Sequence, residues 1–308
     1  MSLIRPLIYI GIIFLAAGLR RGGYFGERDY RVLSAIFTNV TLPANIVHAF
    51  AGFLPALSTY LLAVIGLGFG VVPVFLMYLM RRKHNHTSRA FCMINASGCN
   101  IGGFAMPIVQ LFYGPQGAVF ASVFDLGNAV VMCGGGYALT ASLLRLDEDV
   151  PRSGLSRVGS FCRKLFGSVS LDAYLILLVL LLCGVPIPKL AGTITEPIAN
   201  ANGFVSMFML GLMFHIEREN KEKITDVKFT VAFRVIFGVS LGLLAYRFLP
   251  FPELERKVAA ICMVAPAGSI SPVFTEQAGA DPSLSSFLNS VSVLISFVLM
   301  LVLVYVVF

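Results

Sequence analysis

Asp125 is the residue whose position most strongly suggests chemistry, because it lies inside a long apolar stretch of the chain. It is about nine residues, or about 14 Å of helix, from the start of that stretch, near the middle of a ~30 Å hydrocarbon core. An ionised carboxylate at this depth must be paired, hydrated or coordinated, or else it is protonated. Asn128 follows three residues later on the same helix face. The pair is suited to binding a cation, carrying a proton or bracing a neighbouring helix.

Helix-breaking residues are concentrated in the preceding apolar stretch, whose residues 95–107 read NASGCNIGGFAMP. Gly102 and Gly103 permit unwinding, and Pro107 lacks a backbone N–H and disfavours helix just before it. Asn100 adds a polar amide. Unwound backbone at membrane depth is tolerated only where protein or a water-filled cavity surrounds it. We therefore expect a broken helix here.

A similar sequence, APAGSISP, occupies residues 265–272 in the second half of the chain. Its candidate site residues are Pro266, Gly268, Ser269, Ser271 and Pro272. Matched interruptions in two halves indicate a transporter binding site, and helix N-termini of about half a positive charge each favour an anion. The alternative is that these small residues only allow close helix packing.

Arg234 is a basic residue within another apolar segment. Its favoured interpretation is a long side chain that snorkels to the membrane interface. The alternatives are a contact with an anion or a partnership with Asp125. Three polar residues of another segment, Asn200, Asn202 and Ser206, are interpreted first as helix-packing groups and second as groups that line a site. Asn289, Ser290 and Ser292 occupy the position in the second half that corresponds to Asp125 and Asn128.

The composition predicts an all-α membrane protein. Of the 308 residues 57% are hydrophobic and only 13% charged, whereas a soluble domain is nearer half apolar and a quarter charged. Ten apolar segments occur, and the alternating pattern of barrel strands is absent. The segments are Leu3–Leu19, Val32–Leu54, Tyr60–Met80, Ser88–Tyr113, Gln116–Leu144, Val169–Pro188, Gly192–Ile216, Val227–Leu249, Lys257–Ala278 and Leu284–Phe308. The net charge of +7 resides in short loops, which favours a membrane over a nucleic-acid partner. The cysteine and histidine spacing predicts neither a metal site nor a disulfide, and no cofactor is expected.

The basic residues also predict the orientation of the segments. With both termini outside the cell membrane, 17 of the 23 Lys and Arg fall in cytoplasmic loops and 5 outside. Residues 1–144 then form a first five-helix repeat and residues 169–308 a second one, inverted because each half has an odd number of spans. The polar stretch 145–168 between them is predicted to form a cytoplasmic amphipathic linker.

The order of several short motifs resembles the auxin efflux carrier family, in its bacterial branch of proposed malate and malonate transporters. The resembling stretches are FTNVTLPA at 37–44, NIGGFAMP at 100–107, FDLGN at 124–128 and TEQAGAD at 275–281. The resemblance implies crossed, broken fourth and ninth helices, a scaffold of helices one, two, six and seven, and a mobile unit of the other six. Ala105 stands where relatives often have glycine, and Cys99 stands where proline often precedes the asparagine. The long central loop of the plant carriers is also missing, so auxin is not the expected substrate.

These observations predict a secondary transporter for a small organic anion, with a dicarboxylate among the candidates, coupled to H⁺, Na⁺ or the membrane potential. A homodimer is compatible with this prediction. A channel or a membrane sensor for a small carboxylate is the alternative. No nucleophile elbow, HExxH motif or ATP-binding loop occurs, so neither an enzyme nor a primary pump is expected.

Overall fold

The computed structural model describes residues 4–26, 28–146, 169–214 and 221–308, and this part of the chain is mainly helical. Helix suits this apolar sequence because each backbone N–H finds its acceptor within the same segment, which a lone strand in lipid cannot provide. The predicted amphipathic linker lies outside the described residues, apart from Arg145 and Leu146 at its start.

The helices of the first half are numbered here in chain order. They are α1 (Ile4–Arg21), α2 (Tyr30–Phe50), α3 (Leu57–Met80), α4 (His86–Ala96), α5 (residues 101–113) and α6 (residues 115–144). Helical hydrogen bonding continues over Ile101–Leu144, but Gly114, with φ 65° and ψ −161°, separates α5 from α6. A glycine adopts this left-handed backbone without the steric cost that a Cβ would add.

The helices of the second half follow the same pattern of long helices and one interrupted helix. They are α7 (Val169–Leu182), α8 (Lys189–Met213), α9 (Lys221–Phe248), α10 (Glu253–Met263), α11 (Ser271–Gln277) and α12 (Pro282–Val302), the last extended by a π-helical turn at Leu303–Val307.

Five helical stretches among the described residues are long and apolar enough to cross a membrane. They are Tyr30–Phe50, Leu57–Met80, Ile101–Leu144, Ile224–Phe248 and Pro282–Val307. The prediction of an all-α chain with several membrane spans is confirmed at this level. The ten-span arrangement stays a prediction.

The helix α2 contains a π-helical turn at Phe37–Thr41, directly before Pro43. Proline cannot donate the hydrogen bond of a regular turn, and a wider turn accommodates that loss. The Thr41 hydroxyl donates to Asn202 Oδ1 of α8 at 3.0 Å. The hydroxyl thus ties two helices together, which confirms the packing role predicted for Asn202.

Glycines bring α3 close against α6. A methyl group at Gly66 would overlap the carbonyl oxygen of Phe124, and one at Gly127 would overlap the carbonyl oxygen of Ala63. Small residues of this kind let two helix backbones approach closely. The contact sets the position of α6 at the level of Asp125, which lies between Phe124 and Gly127.

Candidate functional site

Two interrupted helices meet at the centre of the candidate site. The first interruption, residues 97–100, separates α4 from α5, and the second, residues 264–270, separates α10 from α11. The backbone N–H of Asn100 donates to the carbonyl oxygen of Pro266 at 2.9 Å, so the two interruptions are in direct contact. Both breaks occur where the Gly- and Pro-containing sequences predicted them.

Side chains of α6 and α12 hold the two breaks through a similar set of bonds. At the first break, Asn128 accepts from the backbone N–H of Cys99 and donates to its carbonyl oxygen, both at 2.8 Å. At the second, Ser292 accepts from the N–H of Ala267 at 3.1 Å, and Asn289 donates to the carbonyl of Gly268 at 3.3 Å. The predicted correspondence between Asn289 and Ser292 and the pair on α6 is therefore visible in their hydrogen bonds.

Two donors bind the carboxylate of Asp125, which is 7% exposed. The Asn128 amide donates to one of its oxygens at 2.8 Å, and the Tyr174 hydroxyl of α7 donates to the other at 2.9 Å. The backbone of Gly102 in α5 lies beside this second oxygen, since a methyl group at Gly102 would come within 3.2 Å of Asp125 Oδ2. The predicted contact between Asp125 and Asn128 is confirmed. Tyr174 was not predicted, because nothing in its local sequence indicates that it faces α6.

Asn100 leaves a buried donor without a partner. Its Oδ1 accepts from the N–H of Gly103 at 3.2 Å, which caps the start of α5, while its Nδ2 has no hydrogen-bond partner although the residue is only 7% exposed. Asn289 Oδ1 at the second break is likewise buried and unpaired. An unsatisfied buried polar group costs about 1–3 kcal/mol, so each atom is a favourable place for a ligand group.

Arg234 of α9 reaches into both breaks. Its guanidinium donates to the carbonyl oxygens of Asn95, Ala96 and Gly98 at 2.9–3.2 Å, to Ala265 at 3.1 Å and to the sulfur of Cys99 at 3.2 Å. The snorkelling interpretation is wrong, and the acceptors are these carbonyls rather than the Asp125 carboxylate. The last carbonyls of a helix have no intrahelical donors and carry the negative end of its dipole, so they attract a cation. Arg234 thus caps α4 and α10 together.

The remaining predicted residues take different places around the breaks. Gly102 and Gly103 lie in a π-helical turn, Ile101–Ala105, that begins α5. Pro107 and Pro272 lie in helix rather than in a break, in the first turn of the regular helix that each begins, where a missing N–H costs nothing. Ser271 is buried at the start of α11 and Ser269 is partly exposed.

Met132 of α6 fills the space between the two breaks. A methyl group at Gly98 or at Gly268 would overlap its sulfur atom. Gly98 has a φ of +62°, which also favours glycine there. The thioether is flexible and partly exposed, so it can adapt its shape to a neighbouring ligand.

Asn95 joins the two halves of the chain just before the first break. Its amide donates to the Thr275 hydroxyl of α11 at 2.9 Å, and its Oδ1 accepts from the Ser285 hydroxyl of α12. Because all three side chains are fully buried, this is a brace between the halves. The sequence marked Asn95 as polar within a span but carried no signal for its partners.

Within the described part of the chain, no group of three His, Cys, Asp or Glu side chains is placed to hold a metal ion. The chemistry of the breaks is instead that of amides, one guanidinium and one carboxylate.

A comparison with protein families identifies a match over nearly the whole chain. The model of a family described as membrane transport protein matches residues 3–306. No curated protein matches the chain. The match agrees with the family-level resemblance found in the short motifs, and the family is one of transporters rather than enzymes.

Proposed function

Since the chain belongs to the membrane transport protein family, we propose that it is a secondary carrier whose substrate, a small organic anion, binds where the two helix breaks meet. The protein is a multi-pass membrane protein. The proposed arrangement is two inverted five-helix repeats with both termini outside, as in the bacterial branch of the auxin efflux carriers.

The unpaired Nδ2 of Asn100 is the observation that carries the proposal. It is a hydrogen-bond donor, since the Oδ1 of the same amide accepts from Gly103 and so defines the orientation of the group. It lies at the N-terminus of α5, where backbone N–H groups and the helix dipole favour negative charge. A carboxylate placed there would satisfy a donor that the protein leaves free.

The charges of the neighbouring helix ends support an anion rather than a cation. The C-termini of α4 and α10 would oppose an anion, but Arg234 binds their carbonyls and offsets that negative field. The helix α5 consists of the π-helical turn Ile101–Ala105 and the α-helical residues 106–113, whereas α11 has only 7 residues and a correspondingly smaller dipole. The favourable field therefore comes mainly from the first break.

Alternating access would move one group of helices past another. The proposed scaffold is α1, α2, α7 and α8, and the remaining helices form the moving unit. Polar contacts across this boundary are the Tyr174–Asp125 bond and the contact of the Asn45 amide with the sulfur of Met106, at 3.3 Å. Asp125 is the proposed coupling residue, with Asn128 as its partner.

Counterflow in proteoliposomes tests the proposal, with labelled malonate as a small dicarboxylate probe and other small carboxylates as competitors. The expected result is saturable exchange that Asn100→Ala lowers about tenfold to a hundredfold, because a hydrogen bond to a charged group is worth about 1.5–3 kcal/mol. Asn200→Ala is the matched control, since Asn200 of α8 is exposed. Equal exchange by the two variants would contradict the proposed site. Flux that does not saturate and shows no counterflow would favour a channel.

A further inference from the structure

We propose that the coupling ion is a proton bound by Asp125, and that the ionised Asp125 carboxylate and the substrate anion exclude each other from the N-terminus of α5. This inference rests on the function proposed above and names the coupling ion that the sequence left open between H⁺ and Na⁺. Three observations support it. The groups bound to Asp125 are hydrogen-bond donors, carbonyls of the breaks already accept hydrogen bonds, and Tyr174 links Asp125 to α7.

The surroundings of Asp125 suit a proton better than a sodium ion. Sodium sites in broken-helix transporters use oxygen ligands, among them unwound backbone carbonyls. The two groups bound to Asp125 are instead an N–H and an O–H donor, from Asn128 and Tyr174. A sodium ion would have to displace these donors from the carboxylate oxygens.

Seven carbonyls in or directly beside the breaks already accept hydrogen bonds. Arg234 binds those of Asn95, Ala96, Gly98 and Ala265; Asn128 binds that of Cys99, the N–H of Asn100 that of Pro266, and Asn289 that of Gly268. The fixed positive charge of Arg234 also opposes a second cation among the same carbonyls. A proton needs none of these ligands, because it binds directly to the carboxylate.

The ionised carboxylate lies beside the helix end that an anion would take. A methyl group at Gly102 of α5 would come within 3.2 Å of Asp125 Oδ2, and the adjacent Gly103 amide donates to the Asn100 side chain. Two negative charges at one helix end repel each other. When Asp125 takes up a proton from water it becomes a neutral acid, so the N-terminus of α5 is free to bind the substrate carboxylate. The proton returns to water on the other side of the membrane when the substrate leaves. The O–H bond of Asp125 is the covalent bond that forms and breaks in this cycle.

The same proton would loosen the contact between α6 and α7. Tyr174 is 5% exposed and donates to the Asp125 carboxylate. A hydrogen bond to a charged acceptor weakens when the acceptor is neutralised. Because α7 belongs to the proposed scaffold and α6 to the moving unit, protonation would favour both substrate binding and the movement that follows.

A small cavity lies beside this contact. It is lined by the hydroxyl-bearing residues Tyr60, Ser122 and Tyr174, together with apolar side chains at the end of α2 and along α6 and α7. The buried hydroxyl of Tyr60 has no hydrogen-bond partner.

The other titratable and charged groups near Asp125 come from several helices. They are Cys99 at the first break, Cys133 of α6, Tyr174 of α7, Arg234 of α9 and Cys262 of α10. Arginine stays protonated in proteins, and thiols and phenols lose their protons only at alkaline pH in their unperturbed state. Asp125 is the carboxyl group of this set and the member that can exchange a proton without alkaline pH.

Titration calorimetry of malonate binding tests the inference on the purified full chain at pH 7.5, in sodium-free buffers that differ in ionisation enthalpy. The wild type is expected to take up about one proton per malonate bound, with no change on adding sodium chloride. Asp125→Asn is expected to bind malonate without proton uptake. Asp172→Asn, which changes a partly buried aspartate at the start of α7, is the control and should behave as the wild type. Binding without proton uptake by the wild type, a requirement for sodium, or unchanged uptake in Asp125→Asn would each overturn the inference.

A ligand-free measurement separates failure of this inference from failure of the proposed function. Absence of binding for every small carboxylate would count against the anion site itself. Infrared difference spectra on acidification would still show whether Asp125 takes up a proton. The bands of the other carboxyl groups cancel when the difference spectrum of Asp125→Asn is subtracted from that of the wild type, so the remainder should contain the carbonyl band of one protonated acid. A remainder without that band would overturn the assignment of the proton to Asp125.

Discussion

Replacing Arg234 by glutamine should destabilise the protein more than the loss of any exposed arginine. The guanidinium donates to four backbone carbonyls at the ends of α4 and α10. At about 1 kcal/mol for each buried carbonyl left without a donor, the expected loss is about 4 kcal/mol. Since Arg234 is only partly buried and a glutamine amide can still reach one carbonyl, this figure is an upper value.

Two further variants separate the charge of Arg234 from its shape. Arg234→Lys keeps the positive charge but offers three donors from one atom instead of the planar fork, so it should lie between the wild type and Arg234→Gln. Arg247→Gln removes an exposed arginine near the end of the same helix and should change stability by less than about 0.5 kcal/mol.

Chemical denaturation in detergent micelles measures the free energy of unfolding of all four proteins. The order expected from the geometry is wild type and Arg247→Gln first, then Arg234→Lys, then Arg234→Gln. If Arg234→Gln were as stable as Arg247→Gln, Arg234 would not act as the shared cap of the two helix ends, and the anion-favouring field assigned to the first break would lose its support.

Two more predictions concern the contacts that position Asp125. Tyr174→Phe removes the hydroxyl that links α7 to α6 and should lower the free energy of unfolding by about 1–3 kcal/mol. Tyr24→Phe, at an exposed tyrosine, should leave the free energy of unfolding unchanged. Equal effects of the two variants in chemical denaturation would argue against the link. Gly66→Ala should destabilise strongly, because its methyl group would overlap the Phe124 carbonyl oxygen, and melting temperatures would report the loss. Gly68 lies on the same helix with open space around it, so Gly68→Ala should stabilise the protein by up to about 1 kcal/mol through helix propensity. A similar change in melting temperature in both glycine variants would contradict the close α3–α6 contact.

The helix breaks could be predicted from the sequence because their causes are local. Glycines at 98, 102 and 103 and prolines at 107, 266 and 272 change the backbone of their own segments whatever packs against them. The pairing of Asp125 with Asn128 was predictable for the same reason, since residues three apart on a helix lie on one face. The long apolar segments likewise imply a membrane protein through composition alone.

The partners of these groups depend on helices far apart in the sequence. Tyr174 is 49 residues from Asp125, and Asn95 is 180 residues from Thr275 and 190 from Ser285. Helical periodicity places a side chain on a face of its own helix but does not say which helix lies opposite. This is why Tyr174 and the Asn95 brace were missed, and why Arg234 was expected to turn towards the membrane interface.

The sequence by itself therefore determined the membrane class, the positions of the two breaks and the buried carboxylate with its asparagine. Tertiary structure decided the direction of Arg234, the donors around Asp125 and the freedom of the Asn100 amide. The physical reason is that a helix dipole and an unpaired carbonyl act on whatever group lies within hydrogen-bond distance, and only the packing of α9 against α4 and α10 brings the guanidinium to that distance.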